Sequence, residues 1–195
     1  MSYLDDELAI LPQWEGRCSW LYLDSDNPPN ATTMIGYLVE SLAESQKLPW
    51  KRPDGSPASS GDIAADWERV TAMRGNMAAP AYKSPNGLTL QDADIDAFTL
   101  AKLQVFDADL RADFPGYDSA PDCAKTRLLD MEWGLGDTKL RGSYPHFDAA
   151  VDAALAGNKS AWLTAASECA RNASNPAFAK RNNWTKQGFE QAASQ

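Results

Sequence analysis

The sequence predicts an α+β fold, mostly α: one domain over residues 1–195, in which a small N-terminal β-containing lobe packs against a larger helical lobe with a cleft between them. Three observations carry this. Strand-forming runs flank a turn-rich loop between residues 20 and 35, and apolar residues recur at helical spacing almost without break after residue 89. The chain has 195 residues, 44% apolar and 23% charged, which is enough for a real hydrophobic core. No internal repeat is visible. The β-lobe covers about 14–40, the stretch 44–87 reads as an insertion, and 88–195 forms the helical lobe.

Leu4, Leu8 and Leu11 fall at i, i+4 and i+7 and predict a short amphipathic helix leading to Trp14-Glu15-Gly16, with a kink or restart at Pro12. Trp20 to Leu23 and Thr32 to Ile35 are rich in strand formers; with the Asp24–Asn30 loop between them and Gly36 after them, they predict a hairpin or small sheet. Pro49 to Gly61 reads as a surface loop, and Ile63, Trp67 and Val70 predict a helix of about three turns. Gly75 to Gly87 is a second loop. Thr89 followed by Asp92 has the capping-box pattern, and Ile95, Phe98, Ala101 and Val105, beside Leu103, Phe106 and Leu110, predict the longest apolar stripe of the chain.

Pro115-Gly116 ends that helix. Pro121 suits the first turn of the next, which carries Ala124, Leu128 and Met131 and stops at Gly134 and Gly136. Phe147, Val151 and Ala154 predict a further helix closed by Gly157. Asn158 is expected to cap the helix bearing Trp162, Ala166 and Cys169, and Asn175-Pro176 to open the last one.

A net charge of −9 opposes phosphate backbones, so nucleic acid is not an expected partner. The acid is concentrated early: residues 1–119 carry 9 basic and 19 acidic side chains, residues 120–195 carry 9 and 8. Residues 171–195, with Arg171, Lys180, Arg181 and Lys186 against Glu190, read as a solvated basic face or a surface for carboxylates. Cys18, Cys123 and Cys169 are too scattered for a disulfide framework and read as buried small hydrophobes. With one histidine, His146 in a loop, neither a zinc set nor a Ser-His-Asp triad is expected, and no metal or cofactor is predicted. Asp5, Asp6 and Glu7 stand where a secretory signal carries Lys or Arg, and no run approaches the roughly 20 apolar residues of a membrane span. The expectation is a monomer made in the cytoplasm, without membrane insertion, that depends on other machinery to act elsewhere.

Glu15 ends a predicted helix, Asp24 follows nine residues later at a strand end, and Thr32-Thr33 lies beyond the loop. This spacing allows two carboxylates and a hydroxyl to meet in one cleft. Glu15-Gly16, Tyr22-Leu23-Asp24 and Thr32-Thr33-Met34-Ile35-Gly36-Tyr37-Leu38 resemble the signature of the phage-type lysozyme family, glycoside hydrolases of the muramidase kind. Leu88-Thr89 with Ala93-Asp94, Leu129 to Gly136, and Asp148 to Arg171 resemble later segments of that family.

The resemblance implies a lysozyme-like fold and hydrolysis of the β-1,4 bond between N-acetylmuramic acid and N-acetylglucosamine in peptidoglycan. Such cleavage needs one protonated carboxyl for the leaving oxygen and one ionised carboxylate for water. Glu15, at a helix C-terminus beside Trp14, is expected to be the acid, because the dipole and burial both disfavour its anion. Asp24, in a polar loop with Asn27 and Asn30, is expected to be the base, with Asp26 as a rival.

The resemblance further implies inversion, with Asp24 and Thr32 holding the water and the carboxyls about 6.5–9.5 Å apart. Thr32 is preferred to Thr33 by counting back from Gly36. Tyr22 is a candidate substrate-binding residue. Trp133 is another, at the cleft wall, or else a core tryptophan; Trp20, Trp67 and Trp162 lie on apolar stripes and read as core. A muramidase without a secretory signal implies a phage endolysin released by a holin, or an antibacterial effector toxin exported to the periplasm, whose producer carries an inhibitor protein. Met34, where the family usually has glycine, leaves open a catalytically inactive glycan-binding or assembly module on the same scaffold.

Overall fold

A computed structural model describes residues 2–135 and 140–195. The chain is mostly helical with a small three-stranded antiparallel sheet, and it divides into two compact units, Leu11–Thr99 and Met1–Ile10 with Leu100–Gln195.

In both units the helix starts reflect local chemistry. Helix α1 (Tyr3–Ile10) stops short of Pro12, and α2 (Pro12–Glu15) restarts there, because proline at the first helical position gives up an N–H that has no partner in any case. Gly16 ends α2 at φ 74, returning its N–H to the Pro12 carbonyl at 3.1 Å. Strands β1 (Cys18–Leu23), β2 (Ala31–Met34) and β3 (Tyr37–Leu38) follow in spatial order β1-β2-β3. The register pairs Tyr22 with Thr32 and Thr32 with Leu38, so these three share one face; Leu23 pairs with Ala31 on the other.

The stretch 44–87 belongs to the same unit as the sheet and buries Leu48, Trp50, Ile63, Val70 and Tyr82. After α3 (Leu42–Ser45), the Trp50 indole N–H reaches the Ser45 carbonyl at 2.9 Å. Helix α4 (Ser60–Thr71) packs on β1 and opens with a full Ser59–Asp62 capping box inside the Pro-rich stretch expected to be loop. Trp20, expected in the core, is half-buried, with its indole N–H on the Ala79 carbonyl at 2.9 Å in a 3-10 turn (Ala79–Tyr82).

Thr89 does not cap α5 (Asp92–Asp113). Its backbone pairs with Lys51 in both directions, at 2.8 and 3.0 Å, and the helix starts three residues later. Helix α5 runs from one unit into the other. The buried row is Ile95, Thr99, Leu103, Phe106 and Leu110; Ala101 and Val105, placed on the stripe by sequence, face solvent, Val105 at 53% exposure. Steps of three or four residues from Ile95 select that row and leave Val105 off it.

The other unit packs α1, α6 (Asp122–Leu135), α7 (Pro145–Leu155), α8 (Ala161–Glu168) and α9 (Ala179–Ala192), with α6 against both α1 and α9. Ala124, Leu128, Leu129 and Met131 of α6 are fully buried. Phe189 stacks on Trp162 at 5.7 Å and meets Phe147 edge-on at 5.4 Å, joining α7, α8 and α9. Asn158 does not cap α8: its side chain accepts the Ser160 hydroxyl at 2.7 Å, and the helix begins at Ala161. Asn175 does cap the 3-10 turn Pro176–Phe178 that leads into α9. Cys18 and Cys169 are buried, which pushes both thiols up to about 11, whereas Cys123 is only half-buried.

The expected basic face after residue 171 is in part an internal ion cluster. Asp130 of α6 is fully buried, and Arg171 and Arg181, 4% and 7% exposed, converge on it. Arg171 Nη1 donates to the Asp130 carbonyl at 2.8 Å and Arg181 Nη2 lies 2.8 Å from its carboxylate. Gly134 does not stop α6; a Cβ there would sit 2.9 Å from Arg171 Nη1, so the glycine leaves room for that guanidinium. Gly136 lies outside the described residues.

Glu7 of α1 is wholly buried, and neither carboxyl oxygen has a hydrogen-bond partner among the described residues. Burial pushes its carboxyl well above the usual carboxylate range; the Asp130 charge adds to this, and Arg181, Arg127 and Arg171 oppose it. A raised carboxyl pKa costs stability as pH climbs from the unfolded value toward the folded one, with a slope of at most about 1.4 kcal/mol per pH unit. Glu7→Gln is therefore expected to stabilise the protein relative to wild type increasingly from about pH 4.5 upward. Paired denaturant titrations across pH check this; a wild-type-minus-variant difference that does not change with pH removes Glu7 as its source.

Candidate functional site

Glu15, Tyr22, Asp24 and Thr32 all lie in the Leu11–Thr99 unit. Glu15 is the last residue of α2 and is half-buried. Its side chain rests on the β2–β3 turn: a Cβ at Gly36 would stand 3.3 Å from both Cβ and Oε2 of Glu15. The turn is tight, with Met34 at φ 55 and Gly36 at φ 65 on either side of Ile35, and it brings its backbone up to the Glu15 side chain. Gly36→Ala adds a left-handed residue, costing about 1–2 kcal/mol, and presses a methyl on Glu15. A melting-temperature drop together with loss of any Glu15-dependent activity is expected; an unaltered melt removes this account of Gly36.

Asp24 lies just past β1 and is held by its own loop. Oδ1 accepts the backbone N–H groups of Asp26 at 3.1 Å and Asn30 at 2.8 Å, while Oδ2 accepts the Asn30 side-chain amide at 3.2 Å. The Asp24 N–H in turn donates to the Asn30 carbonyl at 3.0 Å, closing the loop at its base. The Thr32 hydroxyl makes long contacts, 3.5 Å to Asp24 Oδ2 and 3.4 Å to the Asn30 carbonyl. Thr33, the alternative hydroxyl, is fully buried and points to the Cys18 carbonyl at 3.4 Å. Asp26 is exposed and accepts from Asn30 Nδ2 at 3.2 Å, so it braces the loop from outside while Asp24 occupies its inside.

Tyr22 pairs with Thr32 across the sheet and lies within electrostatic reach of both carboxylates. Its hydroxyl is pushed up to about 12 by burial first, then by Cys18, Asp24 and Glu15, so it is a proton donor at any physiological pH. Tyr22 and Thr32 are cross-strand partners, the Thr32 hydroxyl reaches Asp24, and Glu15 rests on the β2–β3 turn of the same sheet. Asn30, which sequence reading treated only as loop polarity, is the residue that fixes Asp24; the signal was an amide side chain closing a loop that starts at an aspartate.

Trp133 has the environment of a core residue. It is 8% exposed on α6, edge-on to Phe106 at 5.8 Å, because α6 is buried on nearly all sides. His146 is exposed, at the start of α7. Among the described residues no group of three or more His, Cys, Asp or Glu side chains is arranged to hold a metal ion, and no helix is long and apolar enough to cross a membrane. The sequence matches no family model and no curated relative.

Proposed function

We propose that the chain is a peptidoglycan hydrolase of the lysozyme-like class, an N-acetylmuramidase that cleaves the β-1,4 bond between N-acetylmuramic acid and N-acetylglucosamine with inversion. The observation that supports the reading is the held geometry of Asp24, its carboxylate fixed by Asn30 and reached by the Thr32 hydroxyl, in the unit where Glu15 rests on the turn of the same sheet. Glu15 gives its proton to the leaving glycosidic oxygen as the C–O bond breaks. A water positioned by Thr32 Oγ1 and Asp24 attacks the anomeric carbon from the opposite side, and its proton passes to Asp24. No metal or cofactor enters the reaction.

The substrate lies outside the cytoplasmic membrane, so the activity entails delivery to that compartment. In an effector toxin it also entails an inhibitor protein in the producing cell. Purified protein incubated with peptidoglycan, with the soluble fragments analysed by mass spectrometry and the first-formed anomer followed by NMR, tests the reading. Muropeptides with new N-acetylmuramic reducing ends in the inverted configuration are expected. Binding without release identifies a glycan-binding module instead, and neither binding nor release removes the glycan reading altogether.

A further inference from the structure

Arg127 of α6 stands apart from the other arginines that are buried or half-buried. Arg52 pairs with Asp62, Arg69 with Asp66, Arg141 with Asp152, and Arg171 and Arg181 with Asp130. Arg127 is half-buried and has no carboxylate within ion-pair distance among the described residues. Its guanidinium is nevertheless fixed. Nε donates to the Trp184 carbonyl at 3.0 Å, the group lies 3.4 Å from the centre of the Trp184 ring, and it crosses Gly188, where a Cβ would collide with Nε. Three contacts with α9 thus hold one edge and one face of the fork. The two amino groups have no hydrogen-bond partner among the described residues, and neither is enclosed. Burial works against the Arg127 charge, with Glu7 and Asp130 acting the other way from beyond contact, so an added counter-ion is favourable there.

The fork forms part of the wall of a pocket of about 420 Å³, within the range of small-ligand sites, roughly 300–1,000 Å³. The pocket lies between α1, α6 and α9, all of one unit. Asp6 and Ile10 of α1, Asp122 at the start of α6, and Gln191 of α9 line it as well. Asp6 is exposed and makes no ion pair among the described residues, and Asp122 makes only a long one, 3.8 Å to Lys125. The lining therefore carries one preorganised donor fork of the shape that takes a carboxylate, flanked by two carboxylates that attract cations. A simple anion is drawn to Arg127 and repelled by its flanks. A simple amine leaves the fork empty. A molecule with one carboxylate and two ammonium groups answers all three charges, and its net charge of +1 offsets the −1 of the lining.

We propose that this pocket is a binding site for a basic α-amino acid, its carboxylate on the Arg127 fork and its ammonium groups toward Asp6 and Asp122. Every residue it uses belongs to Met1–Ile10 or Leu100–Gln195, whereas Glu15, Asp24 and Thr32 lie in the other unit, so the site stands or falls independently of the hydrolase reading.

Calorimetric titration of the full chain with L-lysine tests it, beside 1,5-diaminopentane, which is lysine without its carboxylate, and hexanoate, which lacks both ammonium groups. The Arg127 Nε–H resonance, assigned with Arg127→Lys, locates the binding. Lysine is expected to shift that resonance and to bind at least about tenfold more tightly than either fragment. Arg127→Lys keeps the charge but loses the fork and is expected to weaken lysine binding by about tenfold or more. The Asp6→Asn, Asp122→Asn double variant, at two exposed positions, is expected to weaken lysine and strengthen hexanoate, and it keeps the test decisive if Arg127→Lys does not fold. An unshifted Arg127 resonance, a fragment that binds as well as lysine, or a double variant that leaves the order of the ligands unchanged overturns the site.

Discussion

Glu15→Gln is expected to lower muropeptide release by about 10²–10⁴-fold while leaving the unfolding midpoint close to wild type. The amide keeps the shape of the carboxyl where it rests against Gly36, so the packing of the β2–β3 turn survives, but it has no transferable proton for a leaving sugar oxygen. Loss of general-acid help is felt in kcat, since the proton moves only in the transition state, whereas glycan binding through the rest of the sheet face persists. Release kinetics on purified peptidoglycan, with a denaturant titration alongside, check both halves. A Glu15→Gln protein that lyses walls at the wild-type rate excludes Glu15 from proton donation.

The second large effect concerns stability. Asp130→Ala leaves the Arg171 and Arg181 guanidinium groups buried without their shared counter-ion and is expected to cost about 3–5 kcal/mol, visible as a lower urea midpoint. Glu7 makes the effect conditional. At present the Asp130 charge helps to keep the Glu7 carboxyl protonated, while Arg181, Arg127 and Arg171 pull the other way. With Asp130→Asn that repulsion vanishes and Glu7 is free to ionise as the replacement counter-ion. The Glu7→Gln, Asp130→Asn double variant should therefore be less stable than the two single changes summed, and a double-mutant cycle measures that coupling directly. Strict additivity refutes the exchange of roles.

Where local chemistry decides, the sequence was readable. Pro12 restarts a helix, Gly16 ends one, Asn175 caps a turn, and the strand pair around the Asp24 loop forms as its residue types require. Where a distant partner decides, it was not. Thr89 looks like a helix cap until Lys51, 38 positions earlier, takes both of its backbone groups, and nothing near Thr89 announces this. Arg171 and Arg181 look like surface charge because their common partner, Asp130, sits on another helix. Glu7 carries no signal at all: an acid among acids, it is turned inward by the face on which α1 meets α6.

The site divides in the same way. Glu15, Asp24 and Thr32 were named from their spacing, Thr32 by counting back from Gly36; the Thr32 hydroxyl lies near Asp24 whereas that of Thr33 points to the Cys18 carbonyl, as strand alternation requires. The part played by Asn30, and the position of Trp67, which was expected in the core and is instead half-buried along a groove, depend on how α4 and the segment after it meet the sheet, a tertiary fact with no local signature.

The grouping of Met1–Ile10 with Leu100–Gln195 has a consequence for how the protein is born. At about 5–20 residues per second, the ribosome takes on the order of 5–20 s to pass from the first helix to its partner α6. Throughout that interval α1 is without the α6 surface it packs on, while residues 11–99 follow it as one contiguous stretch of chain. The α1–α6 contact therefore closes only after the whole sheet-bearing unit has been synthesised.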